Sequence, residues 1–89
     1  MTNVNKGTKK YEQLMWSHRR YQGDSVNNVY GTCSQAKKNV ERYIKEMMLR
    51  EGGYNYHITG HNCNFFSCSF ETDTHVYYFT HANDYILEK

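Results

Sequence analysis

Five side chains that could bind a metal, His57, His61, Cys63, Cys68 and His75, fall within nineteen residues of one another. Zinc takes four nitrogen or sulfur ligands in a tetrahedron, and structural sites usually present them as pairs two to four residues apart. The spacings here, His57-x3-His61, His61-x-Cys63 and Cys63-x4-Cys68, fit that rule poorly. His57, His61 and Cys63 are the candidates for a metal, and the competing reading weighs more. In that reading Cys68 is a small buried apolar group between Phe66 and Phe70, and the histidines sit at loop rims. No metal and no cofactor is therefore expected.

The same residues invite a catalytic reading. Cys63 with His61 or His57 could make a thiolate pair, and Asp73 beside His75 could orient an imidazole. No nucleophile elbow or oxyanion signature accompanies them. His57-Ile58-Thr59 matches one half of the paired His-x-Thr motif of two-histidine phosphoesterases, but the second half is missing. A small toxin-like ribonuclease, working with His, Arg, Lys and Tyr, is the more plausible enzyme. A catalytic assignment needs convergent groups, which the sequence does not provide, so no catalytic residue is assigned.

A third constellation is basic and aromatic. Lys6, Lys9, Lys10, Arg19 and Arg20 interleave with Tyr11, Trp16, His18 and Tyr21. Cations for phosphate and rings for bases are what single strands and free nucleotides need. Against this, no Gly-rich phosphate loop and no ribonucleoprotein motif is present, and a lone Trp in a small domain is usually core. Trp16, Arg19, Arg20 and Tyr21 remain the candidates for contact with a protein, a nucleotide or a nucleic acid.

Eighty-nine residues suffice for one domain, read as 1–89 with a polar, loose lead-in at 1–10. The composition is 38% hydrophobic and 22% charged, within the ordinary globular range. Nine Tyr hint at a contact surface. The net charge of +2 hides an asymmetry: residues 1–50 carry ten Lys and Arg against four acids, whereas 51–89 carry Lys89 against five. Such a split points to an anionic partner, to self-association, or merely to a helix kept soluble by lysines. No apolar run is long enough to span a bilayer and no signal-type stretch opens the chain. With three cysteines, this favours a cytoplasmic protein with free thiols.

Several elements must position these groups. Ala36, Val40, Tyr43, Ile44 and Met47 form one stripe at helical spacing, opposite charges at i,i+4 line the other face, and Gly52-Gly53 ends the run. This predicts a helix over 33–51. Strands are expected at 54–59, 64–71 and 75–81, with Phe66, Cys68 and Phe70 on one side of the middle strand and Phe65, Ser67, Ser69 and Glu71 on the other. The tail 83–87 reads as a short helix or an edge strand. Residues 11–21 are ambiguous: Tyr11, Leu14, Met15 and His18 have helical spacing, but the Gly23 turn and Val26–Tyr30 favour an extended pair.

The expected fold is α+β, one amphipathic helix on an antiparallel sheet of three to five strands. One helix covers one face, so the other is left to water or to a partner, and some of Phe65, Tyr77 and Phe79 are expected there. That face could also be buried in a homodimer. In composition the chain, Pro-free and rich in Asn, Lys and Tyr, resembles small proteins of bacteriophages of low-GC hosts. The resemblance implies a stoichiometric inhibitor of a host or defence component, working by protein contact or by sequestering a nucleotide signal. The resulting expectation is a non-enzymatic binding protein that uses Tyr77 and Phe79 together with Arg19 and Arg20.

Overall fold

The computed structural model describes residues 1–20, 23–24, 34–62, 65–80 and 82–89. The fold is α+β, with helices packed on a mostly antiparallel sheet. In chain order the elements are β1 (Thr2–Val4), α1 (Lys9–Arg20), β2 (Gly23–Asp24), α2 (Ser34–Glu51), β3 (Tyr54–Asn62), β4 (Phe65–Glu71), β5 (His75–Phe79) and β6 (Asp84–Glu88). The sheet order is β1-β6-β5-β4-β3-β2. Strands β3 to β6 form an antiparallel meander, and the short β1 and β2 add in parallel at its two edges. The tail is thus a strand, and it lies inside the sheet, because β1, from the polar lead-in, pairs outside it.

The helix expected at 33–51 is α2, and its end is chemically legible. Gly52 has φ 68°, the Gly53 amide donates to Met48 O at 2.7 Å, and the Gly52 amide donates to Leu49 O at 3.4 Å. This is the Schellman arrangement, in which a left-handed glycine lets the chain turn back and satisfy the last carbonyls. Ile44 is fully buried under α2, against Ile58, Cys68, Phe70 and Phe79, with Met47, Met48, Tyr56 and Tyr77 around them.

Residues 11–20 correct the expected extended pair: they are α1. Thr8 caps it, its Oγ1 accepting from the Tyr11 amide at 3.2 Å while Thr8 O accepts from Glu12 N at 3.2 Å. His18, Arg19 and Arg20 occupy the last turn, where the helix dipole favours positive charge. The buried residues of α1 are Tyr11, Leu14, Met15 and His18, the set whose spacing signalled a helix. The proposed return strand at 26–30 lies outside the described residues.

Helix α1 overturns the expectation of a free sheet face. Tyr11, Leu14 and Met15 pack on Val76, Tyr78 and Leu87, with Val4 and Tyr85 at the margin. Val76 and Tyr78 alternate along β5 with Tyr77 and Phe79, which belong to the α2 cluster, and side chains alternate sides along a strand. The two helices therefore lie on opposite faces. The connection β1-α1-β2 runs from one edge of the sheet to the other, about 24 Å across five strand spacings. A twelve-residue helix of about 18 Å spans most of that distance.

Candidate functional site

The outer side of α1 gathers three of the residues singled out in the sequence. Trp16 is 56% exposed, and the Arg20 guanidinium lies over its ring at 4.8 Å from the centroid. Arg19 is exposed beside them. Glu12, Met15, Trp16, Arg19 and Arg20 line one shallow groove of about 360 Å³, floored by Met15, which is 2% exposed. Trp16 is thus a surface group and not the core residue that a lone Trp usually is. The reason is helical phase: Met15 and His18 take the inward positions, so residues 16, 19 and 20 fall outward.

The other half of the expected contact surface is corrected. Phe79 is 4% exposed, stacked on Phe70 at 6.0 Å and met edge-on by Tyr43 at 6.1 Å. Tyr77 is half-buried, stacked on Phe70 at 5.1 Å. Both sit on the α2 side, so Tyr77 and Phe79 cannot share one contact surface with Arg19 and Arg20, which lie on the α1 side. Tyr21 lies outside the described residues.

Nor does the metal cluster assemble from what is described. Cys63 and the side chain of His61 lie outside the described residues, and His57 is fully buried. Among the described residues no group of three or more His, Cys, Asp or Glu could hold a metal ion. Cys68 is buried, which pushes its thiol up to about 12 and makes it a poor nucleophile. Asp73 does not orient His75: it accepts from the Tyr54 hydroxyl at 3.0 Å, while His75 Nδ1 bonds Thr74 Oγ1 at 2.8 Å.

The site that sequence reasoning missed is a buried polar chain between α1 and the sheet. Ser69 Oγ lies 2.9 Å from His57 Nδ1 and 2.7 Å from His18 Nδ1. His18 Nε2 bonds Glu71 Oε2 at 2.7 Å, and Glu71 Oε1 accepts from Lys89 Nζ at 2.8 Å. A local irregularity builds it. Tyr54 pairs with Glu71 and His57 with Ser69, so β3 spends three steps where β4 spends two. The extra residue lies in a β-bulge that contains Asn55, at φ 54°, a left-handed conformation that Asn tolerates. Without the bulge Tyr56 would stand opposite Ser69; with it, His57 does.

The proton positions follow from valence. The carboxylate can only accept, so His18 donates from Nε2 and, when neutral, accepts at Nδ1. Ser69 must then donate to His18 and accept from His57 Nδ1–H. Burial lowers the pKa of both imidazoles. It takes His57 to about 4, with the His18 charge acting in the same direction, and outweighs the Glu71 contacts that favour charged His18. Burial also pushes Glu71 upward, but hydrogen bonds from Lys89 and His18 more than offset this and hold its carboxyl below its ordinary value. Ser69, His18 and Glu71 have the connectivity of nucleophile, base and orienting acid. Yet Ser69 and His18 are 0% exposed, so no substrate reaches the hydroxyl and the chain serves to fasten α1 to β4. One sequence signal could have pointed to it: Ser69 and Glu71 share the polar side of an otherwise apolar strand.

Among the described residues no helix is long and apolar enough to cross a membrane. No protein family model, no curated protein and no solved structure matches this chain.

Proposed function

We propose that this is a non-enzymatic binding protein acting stoichiometrically, as an inhibitor does, and that it docks a protein partner through the outer side of α1. The single observation that supports this reading is Trp16, more than half exposed with Arg20 stacked on it and Arg19 beside it. Trp and Arg are the residues most enriched among interface hot spots. The cognate surface on the partner is an apolar pocket for the indole with an acidic rim for the two guanidinium groups.

A nucleotide or single-stranded nucleic acid is the second reading, because Trp16 could stack a base and the arginines could hold phosphate. Two observations favour the protein. Arg20 already occupies one face of the indole, and Glu12, an acid whose charge disfavours phosphate, is among the residues lining the same groove.

Affinity capture from lysate of the cells in which the protein acts, at rising salt, tests the reading. The expected result is a protein retained by the wild type at high salt and lost with Trp16→Ala, which should cost about thirtyfold or more in affinity. Retained nucleic acid that washes off steeply with salt would instead favour the second reading. Equal capture by wild type and Trp16→Ala would remove α1 from consideration.

A further inference from the structure

The buried polar chain between α1 and the sheet sits at one particular end of the helix. Of the buried residues of α1, Tyr11, Leu14 and Met15 lie in its first two turns and pack on Val76, Tyr78 and Leu87, whereas His18 lies in the last turn. Trp16, Arg19 and Arg20, around that same turn, are exposed. Among the described residues, the ties from the last turn to the sheet are polar. His18 bonds Ser69 and Glu71, each at 2.7 Å, and Ser17 Oγ bonds the Tyr78 hydroxyl at 2.8 Å. The helix thus has an apolar anchor at its start and a polar one at its end.

This polar chain can take one extra proton but not two. A proton on His18 makes both of its ring nitrogens donors. Glu71 faces the new charge from β4, and Ser69 can turn its hydroxyl toward His57 instead. A second proton, on His57, sets two positive rings across a single oxygen, at 2.7 Å and 2.9 Å from Ser69 Oγ. His18, His57 and Ser69 are all 0% exposed, so water does not screen that repulsion. The other described groups facing the pair do not relieve it. Lys89, after β6, and Arg19, on α1 itself, act against charge on His18, and Lys89 already holds the second Glu71 oxygen. The Tyr78 ring from β5 lies 5.8 Å from that of His57, and the β2 position paired with His57 is Gly23, which has no side chain. Burial depresses both imidazoles, His57 to about 4, in keeping with a closed form that resists charge.

We propose that the last turn of α1 is a proton-operated latch: the polar chain holds it closed at neutral pH, and protonation of both histidines in mild acid frees residues 17–20 from the sheet. Tyr11, Leu14 and Met15 keep the rest of the helix docked. In the open form the rings meet water and take up their protons freely. Its share rises as pH falls below the ordinary histidine value of 6.5, by about tenfold per pH unit for each proton that the closed form refuses. Trp16, Arg19 and Arg20 then no longer hold one fixed arrangement. That consequence for docking rests on the function proposed above; the latch itself does not.

Amide hydrogen exchange of the full chain, followed by NMR from pH 7 to pH 5 and corrected for the intrinsic rate at each pH, tests the latch. Amides 17–20 should be about tenfold or more less protected than amides 12–15 throughout. Their protection should fall by about tenfold or more per pH unit below about 6.5. His18→Gln keeps a carboxamide that can donate to Glu71 and accept from Ser69 without titrating, so it should flatten that fall by about tenfold per pH unit. Tyr78→Phe removes only the hydroxyl bonded to Ser17. It should lower protection at 17–20 by about threefold to tenfold at every pH and leave the slope unchanged. The latch is overturned if 17–20 open only together with 12–15, or if their protection does not respond to pH. A full slope in His18→Gln, or unaffected amides in Tyr78→Phe, overturns it equally. No partner enters this measurement. A level exchange profile would therefore remove the latch and leave the docking reading standing, and equal capture by wild type and Trp16→Ala would do the reverse.

Discussion

Acid should loosen this fold well before its ordinary carboxylates titrate, and His57 sets the window. The folded-state pKa of this imidazole is depressed to about 4 from an unfolded value of 6.5. Between those two pH values the unfolded chain binds a proton at residue 57 that the folded chain does not. Unfolding free energy therefore falls as pH falls, by about 1.4 kcal/mol per pH unit. Across the window the loss is on the order of 3 kcal/mol, a large share of the stability of a small domain. His18, also depressed, acts with the same sign. Glu71 is held below its ordinary value, so its contribution is present above that value and is lost only as pH drops through its folded pKa. Urea denaturation at neutral pH, near pH 6 and near pH 4.5 measures the slope. His57→Asn keeps an amide donor toward Ser69 without a titrating ring, so its neutral-pH stability should be lower but its slope flatter by about one proton. A stability that stays level from neutral pH to about 4.5, or an undiminished slope in His57→Asn, would refute a neutral buried His57.

Three further substitutions separate packing from surface. A Cβ at Gly53 would overlap the Phe70 ring and come within 3.1 Å of Glu71 O, so Gly53→Ala should cost about 2 kcal/mol in urea denaturation. Thr8→Ala removes the side-chain cap of α1 and should cost about 1 kcal/mol, with the lost helicity visible by far-UV circular dichroism. Trp16→Ala should leave stability within about 0.5 kcal/mol of wild type, since the residue is largely at the surface. A large drop in melting temperature would show the indole to be structural.

Most of the strand sequence was readable because β4 alternates so clearly. Cys68 and Phe70 go under α2, whereas Ser67, Ser69 and Glu71 turn the other way. Helix α2 was equally readable, through its stripe and its Gly52-Gly53 stop. Helix α1 is ambiguous in sequence because two signals compete. The 3, 4, 7 spacing of Tyr11, Leu14, Met15 and His18 was correct, but the Gly23 turn suggested a hairpin. The Thr8 cap decides the matter locally. The candidate site was half legible: Trp16, Arg19 and Arg20 do come together, whereas Phe79 is core.

The amino-acid sequence by itself determined which segments are helix or strand wherever periodicity and end signals agree, because those depend on neighbours a few residues away. Only the tertiary structure decided which sheet face each helix covers. An alternating strand says which side chains travel together but not what lies over them, so Phe79 looked as available as Tyr77. The structure also decided that His57, not Tyr56, meets Ser69. That depends on one extra residue in β3 relative to β4, a register between two strands that no local pattern in either of them encodes.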